Sequence, residues 1–292
     1  MAGDMRILVF GKTGQVAREL ADLCAIRGIE AAFLGRDKAD LSDPDACAAI
    51  INVTDADVII SAAAYTAVDK AESEPELAWL VNAGAPGAMA RAAKARDIPF
   101  LHISTDYVFD GTGTVPWLED DETGPKGVYG QTKLDGEKCI VATNGAHLIL
   151  RTAWVFSAHG SNFVKTMLRV GAERDELSVV DDQRGGPTPA AAIAAALLEI
   201  AAAFHTGRGI SGVYHFAGTP ALSWAGFAEA IFEGSANPPK INRIRSDQYP
   251  TPAVRPANSV LNCAKIKRIY GIEQPDWRIA LKDVLTKLEG QT

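Results

Sequence analysis

The chain has 292 residues, of which 47% are hydrophobic and 22% are charged, a composition typical of a globular protein with a sizeable core. Its formal net charge of −7 and pI of about 5.3 lack the basic excess of nucleic-acid-binding domains, so we expect no nucleic-acid partner. The N-terminal segment does not resemble a secretory signal, and the apolar stretch 190–204 is too short to span a bilayer, so we expect a cytoplasmic protein without a membrane partner.

Short strands and helical stretches alternate in the first half of the chain. The strands are RILVF (6–10), EAAFLG (30–35), a short one at 40–41, ADVIISAAA (56–64), IPFLHIS (98–104) and HLILRT (147–152). Residues 75–96 have apolar residues at helical spacing between two of them. This alternation predicts a doubly wound, Rossmann-like α/β fold with a parallel sheet.

The alternation weakens after about residue 150, where proline and glycine become more frequent. We therefore predict a dinucleotide-binding domain at 1–150 and a second, smaller α/β substrate lobe that occupies most of 151–292. The two are expected to interleave, with the chain returning to the first domain within about 176–207. The four cysteines (Cys24, Cys47, Cys139 and Cys263) form no C-x-x-C pair and are predicted to be reduced thiols.

A glycine-rich turn follows the first strand and precedes an amphipathic helix. It reads G-x-x-G-x-x-A from Gly11 to Ala17. Such a turn lets the backbone approach a pyrophosphate, and the helix N-terminus supplies free N–H groups. We predict dinucleotide binding by five residues of this segment, Gly11, Thr13, Gly14, Gln15 and Val16; the alternative is a tight turn that holds no ligand.

The second strand ends at the position where a dinucleotide places its ribose. Arg36 could accept the 2′-phosphate of NADP there, whereas Asp37 would favour the free hydroxyl of NAD. We expect NADPH to be preferred and NADH to be possible, with Asp40 and Leu41 beside the adenine. A solvated loop arginine is the alternative for Arg36.

Three polar residues suggest the chemistry of carbonyl reduction. Thr105 follows a buried strand at the sheet edge where ligands of such folds bind, and Tyr129 and Lys133 are spaced to share one face of a helix. We expect Tyr129 to be the general acid, Lys133 to lower the pKa of that tyrosine from about 10, and Thr105 to orient the substrate oxygen. A lone Tyr-x-x-x-Lys is a weak signal, so the prediction depends on all three residues.

With these residues, the chain resembles the extended short-chain dehydrogenase/reductases, and among them the dTDP-4-dehydrorhamnose reductase family. The similar blocks extend over nearly the whole chain and include FGKTGQVA, TAVDKAE, STDYVFDG, YGQTKLDGE, RTAWVF, DDQRGGPT and YPTPAVRPANS. The resemblance implies reduction of dTDP-4-dehydro-β-L-rhamnose to dTDP-β-L-rhamnose by NADPH or NADH, with Tyr129 as proton donor. That reaction is the last step of dTDP-L-rhamnose synthesis.

The resemblance also implies roles for individual residues. The catalytic residues would be Thr105, Tyr129 and Lys133. The cofactor would contact Tyr129, Lys133 and the backbone of Ala62, Ala63 and Ala64 at the end of the fourth strand. The nucleotide-sugar substrate would contact Thr105, Asp106, Trp154 and Arg255, with Asp69 and Lys70 near the pocket. Two alternatives stay open: Trp154 as a core aromatic and Arg255 as a loop ion pair.

The chain departs from the family pattern at two places. Some members hold a metal between subunits through glutamates, but Ala191 and Ala192 stand where an acid is expected. With Glu19 alone, a Mg²⁺ site is doubtful, and both a monomer and a homodimer stay open. Gly127 replaces a frequent asparagine, which predicts a looser loop before Tyr129.

Two rival functions remain at this stage. One is a reductase or epimerase of another nucleotide sugar, because a fold does not determine the substrate. The other is a non-catalytic regulatory subunit resembling methionine adenosyltransferase beta, which would not need Thr105, Tyr129 and Lys133. The five histidines show no metal-binding spacing, and His102 is predicted to be a satisfied core residue.

Overall fold

The computed structural model describes residues 5–290. The strands are β1 (Arg6–Phe10), β2 (Glu30–Leu34), β3 (Val58–Ser61), β4 (Phe100–Thr105), β5 (His147–Thr152), β6 (Val155–Phe156), β7 (Glu176–Val180), β8 (Arg184–Gly185), β9 (Thr188–Pro189), β10 (Gly212–His215), β11 (Leu222–Ser223), β12 (Lys240–Ile244) and β13 (Asn258–Ser259). The α-helices are α1 (Gln15–Arg27), α2 (Pro44–Val53), α3 (Val68–Ala71), α4 (Pro75–Trp79), α5 (Ala85–Ala95), α6 (Val128–Val141), α7 (Phe163–Gly171), α8 (Ala190–His205), α9 (Trp224–Ile231), α10 (Ala264–Tyr270) and α11 (Trp277–Glu289). A π-helical turn (Leu80–Gly84) joins α4 to α5, and 3₁₀ turns lie at Asp106–Val108 and Ser246–Gln248.

Six parallel strands form the central sheet in the order β2-β1-β3-β4-β5-β10. Successive residues of β1 point to opposite faces: Ile7 and Val9 pack with α1 and α8, whereas Leu8 and Phe10 pack with α2 and α5. Because both faces are covered, the strands are almost entirely apolar. The predicted doubly wound α/β fold is confirmed.

One predicted strand is wrong. Residues 40–41 form a turn, because the Asp40 carboxylate accepts hydrogen bonds from both the backbone N–H and the hydroxyl of Ser42. Such local bonds compete with strand pairing. Consequently Ala62, Ala63 and Ala64 follow the third strand of the chain, β3, and not a fourth.

The second half of the chain contributes to both parts of the molecule. Helix α8 packs against α1, and β10 extends the central sheet beside β5. By contrast, β7 pairs with β12, and α7, α9 and α11 surround a separate apolar cluster. Helix α8 lies within the predicted return at 176–207, and α10 also packs against β10; the bounds of the return stay a prediction. The division of the chain at residue 150 stays a prediction.

The four cysteines are free thiols, three of them buried and Cys139 partly buried, as the sequence predicts. Burial raises the pKa of Cys47 to about 11, so this thiol is protonated at neutral pH. Within residues 5–290, none of the helices combines the length and apolar character that a membrane span requires.

Candidate active site

The glycine-rich turn lies against the segment that leaves β3. Gly11 has φ of 135°, and a Cβ atom added to it would lie 3.2 Å from the backbone carbon of Ala62 and 3.3 Å from the backbone nitrogen of Ala63. A side chain at residue 11 would therefore strain the backbone and crowd its neighbour. The structure thus brings together two segments that were predicted separately to bind the cofactor.

The N-terminus of α1 is open to an anionic ligand. Gly14 precedes the helix without a side-chain cap, no acidic residue lies in the first turn, and Thr13 and Gly14 are exposed. Free N–H groups and the helix dipole favour a pyrophosphate at such a position. The Gln15 side chain turns away from this end of the helix, because its Oε1 accepts a hydrogen bond from Asn162 at 2.9 Å. Val16 is buried, so both residues offer the ligand their backbone only.

The predicted ribose and adenine residues differ in exposure. Arg36 is exposed and donates from Nε to Asp40 Oδ2 over 3.1 Å, and Asp37 is exposed beside it. An exposed guanidinium with one weak surface partner can exchange it for a phosphate. Leu41 is only 7% exposed and packs into the core, and its place beside the adenine stays a prediction.

Thr105 and Tyr129 meet at the carboxyl end of β4. The Thr105 hydroxyl donates to Asp106 Oδ1 over 3.0 Å, accepts from the backbone N–H of Tyr107, and hydrogen-bonds Tyr129. Tyr129 is half-buried in the first turn of α6, and its ring meets the ring of Tyr107 edge-on. The fold therefore places two of the three predicted catalytic residues in direct contact.

The effect predicted for the pKa of Tyr129 is wrong. Burial raises the pKa of Tyr129 to about 12, the Asp106 carboxylate raises it further, and the hydrogen bond with Thr105 opposes them. Lys133 does not lower it here, because its Nζ bonds to other partners. At neutral pH Tyr129 therefore keeps its proton, as a proton donor requires.

Lys133 is 1% exposed and lies one helical turn after Tyr129. Its Nζ donates to the Ile103 carbonyl over 2.7 Å and lies 2.8 Å from His102 Nε2. Burial lowers the pKa of Lys133 to about 7, and the Glu137 carboxylate partly opposes this effect. The strand pattern correctly placed His102 in the core, but the prediction that it is satisfied is wrong, because its Nδ1 has no hydrogen-bond partner within the described residues. The prediction also missed its contact with Lys133.

A buried ion pair fixes α6 against the sheet. Arg151 of β5 binds Glu137 through Nε at 2.9 Å and Nη2 at 2.7 Å, and Ser104 Oγ donates to Glu137 Oε1 at 2.5 Å. The Arg151 guanidinium also lies over the ring of Phe109. The prediction missed this pair, although Glu137 is four residues after Lys133 and Arg151 is a lone cation in an apolar strand.

Asp106 lies next to Thr105 and is 3% exposed. Burial raises the pKa of Asp106 to about 6, while hydrogen bonds from Ser259 and Thr105 favour the ionised form. The carboxylate is therefore well placed to accept a hydrogen bond at the carboxyl edge of the sheet. Its predicted substrate contact is compatible with this position.

The other predicted substrate residues already have protein partners. Arg255 binds Asp69 with both terminal nitrogens, at 2.8 Å and 2.6 Å, and Lys70 binds Glu74 at 2.8 Å. The Trp154 indole stacks on Trp224 with ring centroids 3.5 Å apart. The two alternatives left open by the sequence, a loop ion pair and a packed aromatic, thus describe the contacts seen in this structure.

A small group of possible metal ligands includes Glu19. Ligand atoms of Glu19, Asp22 and His159 lie within 4.8 Å of one another, with Glu19 buried. No acid is contributed by Ala191 or Ala192, as the sequence shows. Mg²⁺ prefers six oxygen ligands, so two carboxylates and an imidazole fit it poorly within one chain.

Comparison with known proteins supports a single family. A family described as "RmlD substrate binding domain" matches residues 5–289. A dTDP-4-dehydrorhamnose reductase from Sinorhizobium fredii (strain NBRC 101917 / NGR234) is 46% identical over 279 residues, 94% of each chain. A solved dTDP-4-dehydrorhamnose reductase from Clostridium acetobutylicum ATCC 824 has a TM-score of 0.91 at 35% identity, covering 98% of this chain and 100% of that one. Another, from Bacillus anthracis str. Ames in complex with NADP, has a TM-score of 0.90 at 30% identity, covering 97% and 99%.

Proposed function

This chain belongs to the RmlD substrate binding domain family, and we propose that it reduces dTDP-4-dehydro-β-L-rhamnose to dTDP-β-L-rhamnose with NADPH. It is an NAD(P)H-dependent oxidoreductase of dTDP-L-rhamnose synthesis. The observation that carries the proposal is the position of Thr105, Tyr129 and Lys133 at the carboxyl edge of the parallel sheet, beside the glycine-rich turn.

The cofactor, when bound, supplies the hydride that reduces carbon-4 of the sugar. The turn from Gly11 to Val16 and the backbone at Ala62, Ala63 and Ala64 would hold its pyrophosphate and ribose side. Arg36 would exchange Asp40 for the 2′-phosphate, which would favour NADPH over NADH. The NADP complex of the Bacillus anthracis relative supports a cofactor of this class.

Tyr129 donates its phenolic proton to the carbonyl oxygen as that oxygen gains negative charge. Its raised pKa keeps the proton in place until the transfer. Thr105 has one hydroxyl proton, which it donates to Asp106, so it offers a lone pair to the Tyr129 hydroxyl and orients it. For Lys133 to stabilise the tyrosinate, its Nζ must turn its remaining N–H towards the Tyr129 oxygen; within the described residues the resting structure pairs this Nζ with His102 and Ile103 instead.

The substrate side of the pocket must rearrange when the nucleotide sugar binds. Arg255 exchanges the Asp69 carboxylate for the substrate diphosphate, and Trp154 presents its indole edge to the sugar. Asp106 accepts a hydrogen bond from a sugar hydroxyl. Asp69 and Lys70 border this side. The monomer-or-homodimer alternative, a Mg²⁺ ion at Glu19 and a cytoplasmic location stay predictions from the sequence.

Substrate profiling tests the proposed function. The purified chain is assayed for NADPH and NADH oxidation with dTDP-4-dehydro-β-L-rhamnose and with 4-keto sugars linked to UDP or GDP. We expect kcat/KM to be highest for the dTDP sugar and NADPH. A higher kcat/KM for another nucleotide sugar would contradict the proposed substrate. Cofactor binding without turnover of any sugar would support a non-catalytic regulatory subunit.

A further inference from the structure

His102 combines complete burial with a single side-chain hydrogen bond. It lies on β4 with 1% exposure, and its Nε2 is 2.8 Å from Lys133 Nζ. Within the described residues its Nδ1 has no hydrogen-bond partner. A buried polar atom without a partner costs free energy, so an apolar residue would suit this position better if packing were its only role.

The contact determines the tautomer of the imidazole. A lysine ammonium carries three N–H donors and no acceptor, so it can approach a histidine nitrogen closely only if that nitrogen is unprotonated. When Lys133 is charged, which its pKa of about 7 allows below that pH, the ring proton must then be on Nδ1, the atom without a partner among the described residues. Burial and the Lys133 charge both hold the pKa of His102 well below its usual value, so the ring stays neutral.

We propose that His102 is a positioning residue that acts through Lys133, and the inference rests on the proposed reductase function. Neutral Nε2 and the Ile103 carbonyl bind two of the three N–H groups of Lys133. The third N–H is left for the side of α6 that carries Tyr129, four residues earlier. His102 thus keeps the ammonium charged and oriented inside a buried site.

The charges around this pair come from two further elements. On α6, Glu137 is the carboxylate that supports the charge of Lys133. On β5, Arg151 neutralises most of that carboxylate through its bidentate contact. The hydrogen bonds that Lys133 donates to His102 and Ile103 are therefore the direct stabilisation of the ammonium, and removing one of these acceptors favours the neutral amine.

The tautomer is tested in the chain without cofactor or substrate, by long-range proton–nitrogen correlation NMR on histidine-labelled protein. The signals of His102 among the five histidines are assigned by comparison with His102→Gln. We expect a neutral ring with its proton on Nδ1 between about pH 5 and about pH 7, where Lys133 is charged. An Nε2–H tautomer, or titration near the usual histidine pKa, would overturn the inference.

Kinetics test the positioning role. His102→Leu removes the acceptor, and we expect kcat to fall about tenfold or more, with the KM for the nucleotide sugar unchanged. The alkaline limb of the pH profile should move to lower pH by about one unit. His102→Gln restores an acceptor near Nε2 and is expected to recover kcat to within about threefold.

His215→Leu is the matched control, because His215 is also completely buried, also has an unpartnered ring nitrogen and lies on β10 of the same sheet. Its loss is expected to lower Tm without moving the alkaline limb of the pH profile.

An unchanged kcat and an unchanged alkaline limb in folded His102→Leu would refute the inference. A His102→Gln variant as impaired as His102→Leu would refute it as well. If the wild type fails to turn over the dTDP sugar, the proposed function fails, and the NMR result still decides the His102–Lys133 contact.

Discussion

Two groups of interacting side chains border the proposed reaction centre, and they differ in how deeply they are buried. The catalytic network, formed by His102, Ser104, Lys133, Glu137 and Arg151, lies between β4, β5 and α6. Its ion pair is 5% and 4% exposed. The substrate-side pairs, Asp69–Arg255 and Trp154–Trp224, join residues that are distant in the sequence. The ionic pair is 27% exposed at the arginine and 41% at the aspartate.

This difference separates two tasks. The catalytic network, which includes the Lys133 proposed to stabilise the tyrosinate, is fixed before substrate arrives, and such preorganisation lowers the cost of reaching the transition state. The residues proposed to recognise the substrate bind each other, so the proposal requires them to exchange partners. A half-exposed ion pair has a small net free energy and can be exchanged, whereas a buried one cannot be broken cheaply.

The largest expected effect on stability comes from breaking the catalytic network. In Arg151→Met the Glu137 carboxylate stays buried without its partner, and we expect the free energy of unfolding to fall by about 3–5 kcal/mol. Chemical denaturation measures this loss. The double variant Arg151→Met/Glu137→Leu should recover much of it, and a single variant as stable as wild type would show that the pair is not structurally important.

The pH dependence of catalysis sharpens the same contrast. Lys133, with its pKa lowered to about 7, is charged below that pH and loses its charge above it. Because kcat/KM for NADPH reports the free enzyme, it should fall about tenfold per pH unit on the alkaline side. Tyr129 keeps its proton over this range, so it does not contribute. A flat profile through about pH 9 would contradict a role for the Lys133 charge.

The substrate-side ion pair is expected to affect binding and not chemistry. Arg255→Ala should raise the KM for the nucleotide sugar about tenfold, because a charge-assisted contact to the diphosphate is lost. Asp69→Asn removes the competing carboxylate and should leave this KM unchanged or lower it. Steady-state kinetics compare the two variants, and an increase in KM for both would mean that Asp69 positions Arg255 for substrate.

The smallest expected effect concerns the start of α6. Gly127 supplies no side-chain cap, and the carboxylate of Glu72 instead accepts a hydrogen bond from the Val128 N–H at 2.8 Å. Glu72→Ala should therefore cost about 0.5–1 kcal/mol in the free energy of unfolding. Adding Gly127→Asn to Glu72→Ala should recover part of it, as thermal unfolding can measure. No change in Tm on Glu72→Ala would exclude a capping role.

The sequence predicts the parallel sheet, the cofactor turn and the positions of Thr105, Tyr129 and Lys133, because each depends on local patterns along the chain. The strand predicted at 40–41 is absent, because hydrogen bonds from Ser42 to the Asp40 carboxylate determine the local conformation. The pKa of Tyr129 and the contact between His102 and Lys133 depend on burial and on residues distant in sequence. The spacing of residues within one segment therefore cannot predict the Tyr129 pKa or the His102–Lys133 contact.

Loss of NADPH absorbance on mixing with dTDP-4-dehydro-β-L-rhamnose, compared between wild type and Tyr129→Phe, tests the central claim most directly. Removal of a general acid typically costs a factor of about 10²–10⁴ in kcat, and we predict a loss of that size with NADPH binding retained. Turnover by Tyr129→Phe at the wild-type rate would contradict the account, because the proton would then come from another group.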